Sequence, residues 1–386
     1  MAWSMTVATG CGGDETTEPV APSPCTPSSP TPEGPFSTER DPSSARVELA
    51  EAIAERFMSQ HPPEELTWDW GEAVLVAGLV DLYRVTADAR YRDYYQAWID
   101  YYLGVGYDHL IVASDRCPPA LAAFALYQET CHEPYRQVVD RVLTYLYDEA
   151  ARTEQGGISH LGTSEIFRPT LWVDSLFMFG GLLTRYGAFA DDARALDEMG
   201  AQVDIFAALL QDSNGWFRHS YNWELSHDDL YWARGNGWVT ASVAEYLRVR
   251  QDRGESDAQA RQALESQAAA ITASQDAATG LWWNILDRPG EIYLETSAAA
   301  LFALGLARGY RDGLFDAAVL PVIDAAMAGV ESRIETDPEG HPVVTGISGP
   351  TTVGTFEAYA DVPLGDDIHY GLGAVILALL ETSGLE

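Results

Sequence analysis

From Ser43 onward, apolar residues recur three and four positions apart, as in "ARVELAEAIAERFMSQ", "WGEAVLVAGLVDLYRVT" and "ALAAFALYQET". That is the spacing of one face of an α-helix, whereas the strict alternation of a half-buried strand is scarce. The pattern predicts about twelve helices, near residues 43–60, 70–86, 89–104, 118–130, 133–150, 171–187, 190–212, 236–252, 256–276, 293–308, 314–335 and 369–384. A repeat organises them. Leu82-Tyr83-x-x-Thr86 followed by Tyr91-Arg92 recurs as Leu126-Tyr127-x-x-Thr130 followed by Tyr135-Arg136, 44 residues on, the period of a helical hairpin. Six such hairpins suit either an open solenoid or a closed (α/α)6 barrel. Segments 171–187 and 293–308 are apolar around most of their circumference, as an inner ring requires, and the long segments 151–170 and 213–235 supply loops for one mouth. The expected fold is all-α, an (α/α)6 barrel over residues 43–386.

Residues 1–42 break the pattern. "CGGDETTEPVAPSPCTPSSPTPEGP" is rich in Pro, Ser, Thr and Glu, and cannot bury enough apolar surface to offset its ordering entropy, so it reads as a disordered linker. Ahead of it, Ala8-Thr-Gly-Cys11 resembles a bacterial lipobox, but no basic residue precedes Arg40 and the apolar stretch is short for a signal peptide. Lipid attachment through Cys11 is the one membrane link expected, which would place the protein in a bacterial cell envelope or outside the cell; a cytoplasmic location is the alternative. The chain is expected to be a monomer.

Of 386 residues, 58 are acidic and 23 basic, all of them arginine, for a net charge of −35. Such a chain repels phosphate backbones, so nucleic-acid binding is excluded, although a few arginines in a cleft could still hold an acidic ligand. The cysteines Cys11, Cys25, Cys117 and Cys131 lack zinc spacing. Cys117 and Cys131 bracket a predicted helix and could pair, or both could stay thiols. Asp228-Asp229 after His227, and Asp366-Asp367 before His369, match no calcium loop. No metal and no cofactor is expected.

Asp174 lies inside the apolar run "PTLWVDSLFMFGG" near a helix start, where burial would raise its pKa and keep a proton available, unless it merely caps the helix. Asp115 in "SDRCPPAL" stands at a helix entry and fits either a cap or a group aimed into a barrel mouth. His160 and His219 follow glycine-containing loops and could bond sugar hydroxyls. In "YWARGNGW", Trp232, Arg234 and Trp238 surround two glycines; a sugar ring could stack on Trp238 and an acidic group meet Arg234, or the glycines could simply allow close packing.

Together "GGISH", "TLWVDSLFM", "YWARGNGW", "YLETSAAALFALGLARGY" and "HYGLGAVILALLE", in that order, resemble the unsaturated rhamnogalacturonyl hydrolases of glycoside hydrolase family 105, related to family 88. The resemblance implies an (α/α)6 barrel and removal of a 4,5-unsaturated uronic acid from lyase-generated oligosaccharides by hydration of its C4=C5 enol ether. It implies that Asp174 is the general acid/base and Asp115 the second aspartate, with Pro119-Ala120 where the family usually carries Pro-Gly. His160, His219, Arg234 and Trp238 match residues of the family's substrate site. A sugar 2-epimerase on the same barrel, or a non-catalytic surface glycan-binding protein, are the alternatives.

Overall fold

The computed structural model describes residues 25–27, 40–164 and 166–385; Cys11 and its lipobox lie outside them. Among the described residues the helices are α1 (Ala45–Gln60), α2 (Trp70–Thr86), α3 (Ala89–Val105), α4 (Ala120–Thr130), α5 (Glu133–Thr144), α6 (Ser175–Ala190), α7 (Ala193–Leu210), α8 (Ala233–Asp252), α9 (Ala258–Ser274), α10 (Thr296–Arg311), α11 (Leu320–Glu331), α12 (Phe356–Ala360) and α13 (His369–Thr382). Twelve answer the predicted twelve; the single-turn α12 is additional.

The packing closes into two rings. Helix α2 packs on α4, α4 on α6, α6 on α8, α8 on α10, α10 on α13, and α13 returns to α2. Outside it, α3 lies against α2 and α4, α7 against α6 and α8, and α11 against α10 and α13, with α1, α5 and α9 filling the remaining positions. This is the (α/α)6 barrel. The apolar pattern explains who goes inside: α8 is buried without a break from Ala233 to Val249, whereas α1 buries only Val47, Ala50, Ile53, Ala54 and Phe57.

The 44-residue repeat is a helix-ending device. Thr86 and Thr130 each donate a hydroxyl to the carbonyl four residues back, Leu82 at 2.9 Å and Leu126 at 2.7 Å. The next residues, Ala87 and Cys131, take left-handed φ values of 58° and 52° and bond back to Tyr83 and Tyr127, both at 2.8 Å.

Some predicted boundaries shift. The run 171–187 divides, because Leu171–Trp172 pairs as a short strand with Ser220–Tyr221 and α6 starts only at Ser175. Likewise Leu294–Glu295 pairs with Trp282–Trp283 before α10 begins. Helix α8 starts earlier than expected and contains both glycines of "YWARGNGW". A Cβ on Gly235 would lie 2.5 Å from Val173, and one on Gly237 2.6 Å from Leu301, so only hydrogen fits there.

Cysteine pairing differs from expectation too. Cys131 is bonded to Cys25, 106 residues away, and Cys117 is a buried free thiol. Cys131 ends α4 in its left-handed cap, whereas Cys117 sits in the turn before that helix, a whole helix length away. The segment read as linker is thus tied to the barrel at Cys25 and again at Arg40, which donates to Glu381 at 2.5 Å.

At the C-terminal ends of the inner helices the core holds charge. Glu245 of α8 accepts from Arg185 of α6 at 2.6 Å and from Arg308 of α10 at 3.0 Å; Arg308 also reaches Glu381 of α13 at 3.4 Å. Burial pushes the Glu245 carboxyl up, but Arg185 and Arg308 outweigh it and hold it at about 2, below the usual 4.5. A depressed carboxylate stabilises the fold above its unfolded pKa and loses that contribution as pH falls toward the folded one, here about 3 kcal/mol. Glu245→Gln should therefore lower stability by about 3 kcal/mol at neutral pH, because Arg185 and Arg308 each lose one buried carboxylate partner. Thermal unfolding across pH should show the deficit shrinking below about pH 4.5; a pH-independent deficit would mean lost packing instead.

Candidate active site

All six inner helices start at one mouth; the loops feeding those starts carry Asp115, His160, Asp174, His219 and Trp232, and Arg234 and Trp238 lie in the first turns of α8. The short strands tie these loops together. Val173 N–H donates to the His219 carbonyl at 2.8 Å, His160 N–H to Thr170 at 2.9 Å, and Ala233 N–H to Asn284 at 2.9 Å. Asp174, His160, His219 and "YWARGNGW" are thereby held in one wall.

Asp174 occupies the residue before α6, yet its side chain makes no capping bond, and its Oδ1 is buried without a hydrogen-bond partner among the described residues. Burial raises its carboxyl to about 6; the nearby His160 pulls it down and the charge of Asp115 pushes it up. Asp115 sits in a turn at 114–116 and does not cap α4, which starts at Ala120 after Pro119. Its Oδ1 also lacks a partner, and burial followed by the charge of Asp69 raises it to about 7. Two carboxyls able to hold a proton near neutral pH thus flank His160.

His160 stands beside them, its Nε2 3.7 Å from Asp115. Its Nδ1 meets Ser175 Oγ at 2.9 Å and Ser114 Oγ at 3.0 Å, and Trp172 stacks flat on the ring at 4.2 Å. Burial lowers its pKa, with Asp174 opposing. His219 is fully enclosed; its ring stacks on Trp232 at 4.5 Å, and its Nδ1 bonds the Tyr359 hydroxyl. Burial, then the charges of His160 and Arg234, lower its pKa well below 6.5, so the ring is neutral. Its Nε2 has no partner among the described residues, nor do the indole N–H groups of Trp172, Trp232 and Trp238. Buried polar groups are normally paired, and so many unpaired donors and acceptors at one mouth make it the candidate binding site.

Arg234 and Trp238 lie four apart within α8 and so share a face, but neither offers the surface expected of it. Arg234 is wholly buried and donates to Ser348 Oγ at 2.5 Å, Ser348 O and Gly349 O both at 2.9 Å, and Thr351 Oγ1 at 3.3 Å, with Glu295 3.8 Å away. It clamps the loop 346–351 onto α8 and brings positive charge beneath the site. Trp238 is wholly buried with Phe177 on its ring at 4.4 Å, so the stacking face expected for a sugar is already occupied.

Sequence reading missed Trp172, Ser114, Ser175 and Tyr359. Trp172 and Ser175 flank Asp174 inside the quoted "TLWVDSLFM". Tyr359 gave no signal, since it arrives from α12, 140 residues beyond His219. Among the described residues no group of three His, Cys, Asp or Glu side chains is arranged to hold a metal ion.

Residues 49–385 match the family described as Glycosyl Hydrolase Family 88. The unsaturated rhamnogalacturonyl hydrolase YesR of Bacillus subtilis is 26% identical over 264 residues, covering 67% of this chain and 76% of that one. A possible member of the GH105 family from Klebsiella pneumoniae superposes with a TM-score of 0.78 at 26% identity, over 88% of this chain and 93% of its own. The unsaturated glucuronyl hydrolase of Bacillus sp. GL1, responsible for the degradation of glycosaminoglycan, superposes at 0.68 over 87% of this chain and 95% of its own; at 18% identity it attests the fold alone. The closed barrel and the family match over nearly the whole helical chain lead to one conclusion: the chain belongs to glycosyl hydrolase family 88 and is a glycoside hydrolase.

Proposed function

We propose that the enzyme removes a 4,5-unsaturated uronic acid from the non-reducing end of lyase-generated oligosaccharides, with unsaturated rhamnogalacturonan fragments as its substrates. The observation that carries this reading is Asp174: one carboxyl, uncommitted to any cap, held near pH 6 at a mouth of unpaired donors. Ordinary glycosidases need two carboxyl groups at set separations across the anomeric carbon, whereas hydration of an enol ether needs one acid that becomes a base.

Asp174 gives its proton to C4, the π electrons forming the new C–H bond and the ring oxygen sharing the positive charge left at C5. Water then adds at C5 and surrenders a proton to the Asp174 carboxylate, restoring the acid. The C5 hemiketal opens to a ketone as the ring oxygen takes the hydroxyl proton. The C1 hemiacetal so formed expels the aglycone as an alcohol and becomes an aldehyde, so one water is consumed for each bond broken. Asp115 helps keep the proton on Asp174, and His160 and the free Nε2 of His219 bond oxygens of the uronate. Trp232 holds the His219 ring, Trp238 backs the wall, and the buried charge of Arg234 favours an anionic sugar. The Cys25–Cys131 disulfide supports a location outside the reducing cytosol.

Loss of the ultraviolet absorbance of the conjugated uronate is the direct assay. With unsaturated rhamnogalacturonan disaccharide it should decay, and Asp174→Asn should reduce kcat/KM by about a thousandfold. Absence of decay on any unsaturated uronide would sink the proposal. Activity should fall as pH rises past about 6, because the acid form of Asp174 is then lost, and Asp115→Asn should move that limb to lower pH by removing a like charge.

The same substitution separates catalysis from folding. A carboxyl raised from 3.8 to about 6 stabilises the fold fully below its unfolded pKa and loses that contribution as pH climbs through the folded one. Asp174→Asn should therefore be more stable than the parent by about 1–3 kcal/mol at neutral pH, with no advantage below about pH 4, measured by thermal unfolding. An inactive variant that is also less stable at neutral pH would contradict a carboxyl whose charge is disfavoured by burial.

A further inference from the structure

A line of rings leads outward from the catalytic wall and is not used in the chemistry above. His160 lies on Trp172 at 4.2 Å, Trp172 meets Trp223 edge-on at 5.3 Å, and Trp223 stacks with Phe167 at 5.4 Å and 26°. Phe167 and Trp223 are half-buried, and the Trp223 indole N–H has no partner among the described residues. Beside them Ile166 and Leu225 are 85% and 55% exposed, a concentration of apolar surface that a solvated loop does not need.

The two loops holding these rings are tied to each other. Asn222, at a left-handed φ of 66°, donates its amide to Pro169 O at 2.8 Å; Thr170 donates its hydroxyl to Tyr221 O at 2.8 Å; and Arg168 bonds Asn222 at 3.4 Å. The platform is therefore preorganised before any ligand arrives. Its charges are committed as well. Arg168 is held by Glu224 at 2.6 Å, Arg218 by Asp212 at 3.3 Å and Asp229 at 3.6 Å, while the Asp228 carboxylate takes the Phe356 N–H. Among the described residues, both arginines of this lip are thus already paired with carboxylates rather than left to receive a sulfate or a second carboxylate.

We infer that Trp223 and Phe167 form the subsite for the aglycone, and that it selects a neutral sugar ring laid by its C–H face on the aromatic pair. This rests on the hydration reading above, with the unsaturated ring at Asp174 and the next sugar outward. Contact energy there is felt alike in ground and transition states, so it acts on KM.

The test compares Trp223→Ala and Phe167→Ala with the parent on three kinds of substrate: the methyl glycoside of the unsaturated uronate, unsaturated rhamnogalacturonan disaccharide, and unsaturated chondroitin disaccharide with and without sulfate. Each substitution should reduce kcat/KM for the neutral disaccharides by about tenfold, mainly through KM, and much less for the methyl glycoside, which has no ring to stack. The parent should turn over the sulfated disaccharide about tenfold less efficiently than its unsulfated twin. Equal losses on disaccharide and methyl glycoside would make the pair a mere support for Trp172 and overturn the subsite, as would unchanged KM or indifference to sulfate. A parent that leaves even the methyl glycoside intact would overturn the hydration reading, and this inference with it.

Discussion

The structure depends on six helices running the same way at very short range. Closure of the inner ring brings α13 so near α2 that a Cβ on Gly373 would lie 2.4 Å from the Val74 carbonyl, and α10 so near α8 that one on Gly305 would lie 2.5 Å from Thr240. Because alternate helices share one direction, six positive helix ends gather at one mouth and six negative ends at the base. A carboxylate at a helix N-terminus is ordinarily favoured by about 0.3–1 kcal/mol. Asp174 sits at such an end and is nevertheless raised to about 6, so burial, whose effective penalty for an ion is several kcal/mol, decides the outcome.

The two ends of the barrel bury polar groups to opposite effect. At the base, Glu245 takes two guanidinium groups at once and stays ionised, and the arginines complement the negative ends of the helices that carry them. At the mouth, Asp115 Oδ1, Asp174 Oδ1, His219 Nε2 and three indole N–H groups are enclosed and unmatched. Unmatched groups cost stability that matched ones do not, each of the order of 1–3 kcal/mol. The stability lost at the mouth is what makes it receptive, because a polar ligand that meets those groups recovers it.

Much of this was legible because helical periodicity and burial are local properties. Residues 70–86 were read to the residue, and the repeat at Leu82 and Leu126 marked two equivalent helix ends. Boundaries failed where a continuous apolar run hid two elements: "TLWVDSLFM" is strand, turn and helix in succession, buried at every residue but Asp174, and no period distinguishes them. Residue types at the site were readable, but orientations were not. Arg234 and Trp238 were picked out together, yet which way α8 turns depends on where it starts, and its start at Ala233 points both inward. Partners from distant segments were the least accessible. Nothing near Cys131 indicates Cys25, and nothing near His219 indicates Tyr359.

That last contact bears on the choice between reactions. Two histidines at one mouth of an (α/α)6 barrel could serve an epimerase, which needs one nitrogen to take a proton from carbon and another to return it. His219 Nδ1 and the Tyr359 hydroxyl share one hydrogen bond, so that nitrogen is committed and only Nε2 is left to face the site. A ring held neutral by burial, with one nitrogen already committed, is a poor acid for returning a proton to carbon. His160 is likewise lowered by burial and stays neutral, with its Nδ1 held between two serines. In the hydration proposed above the proton that reaches carbon comes from a carboxyl, and Asp174, raised to about 6 with an oxygen unbonded, fits that role.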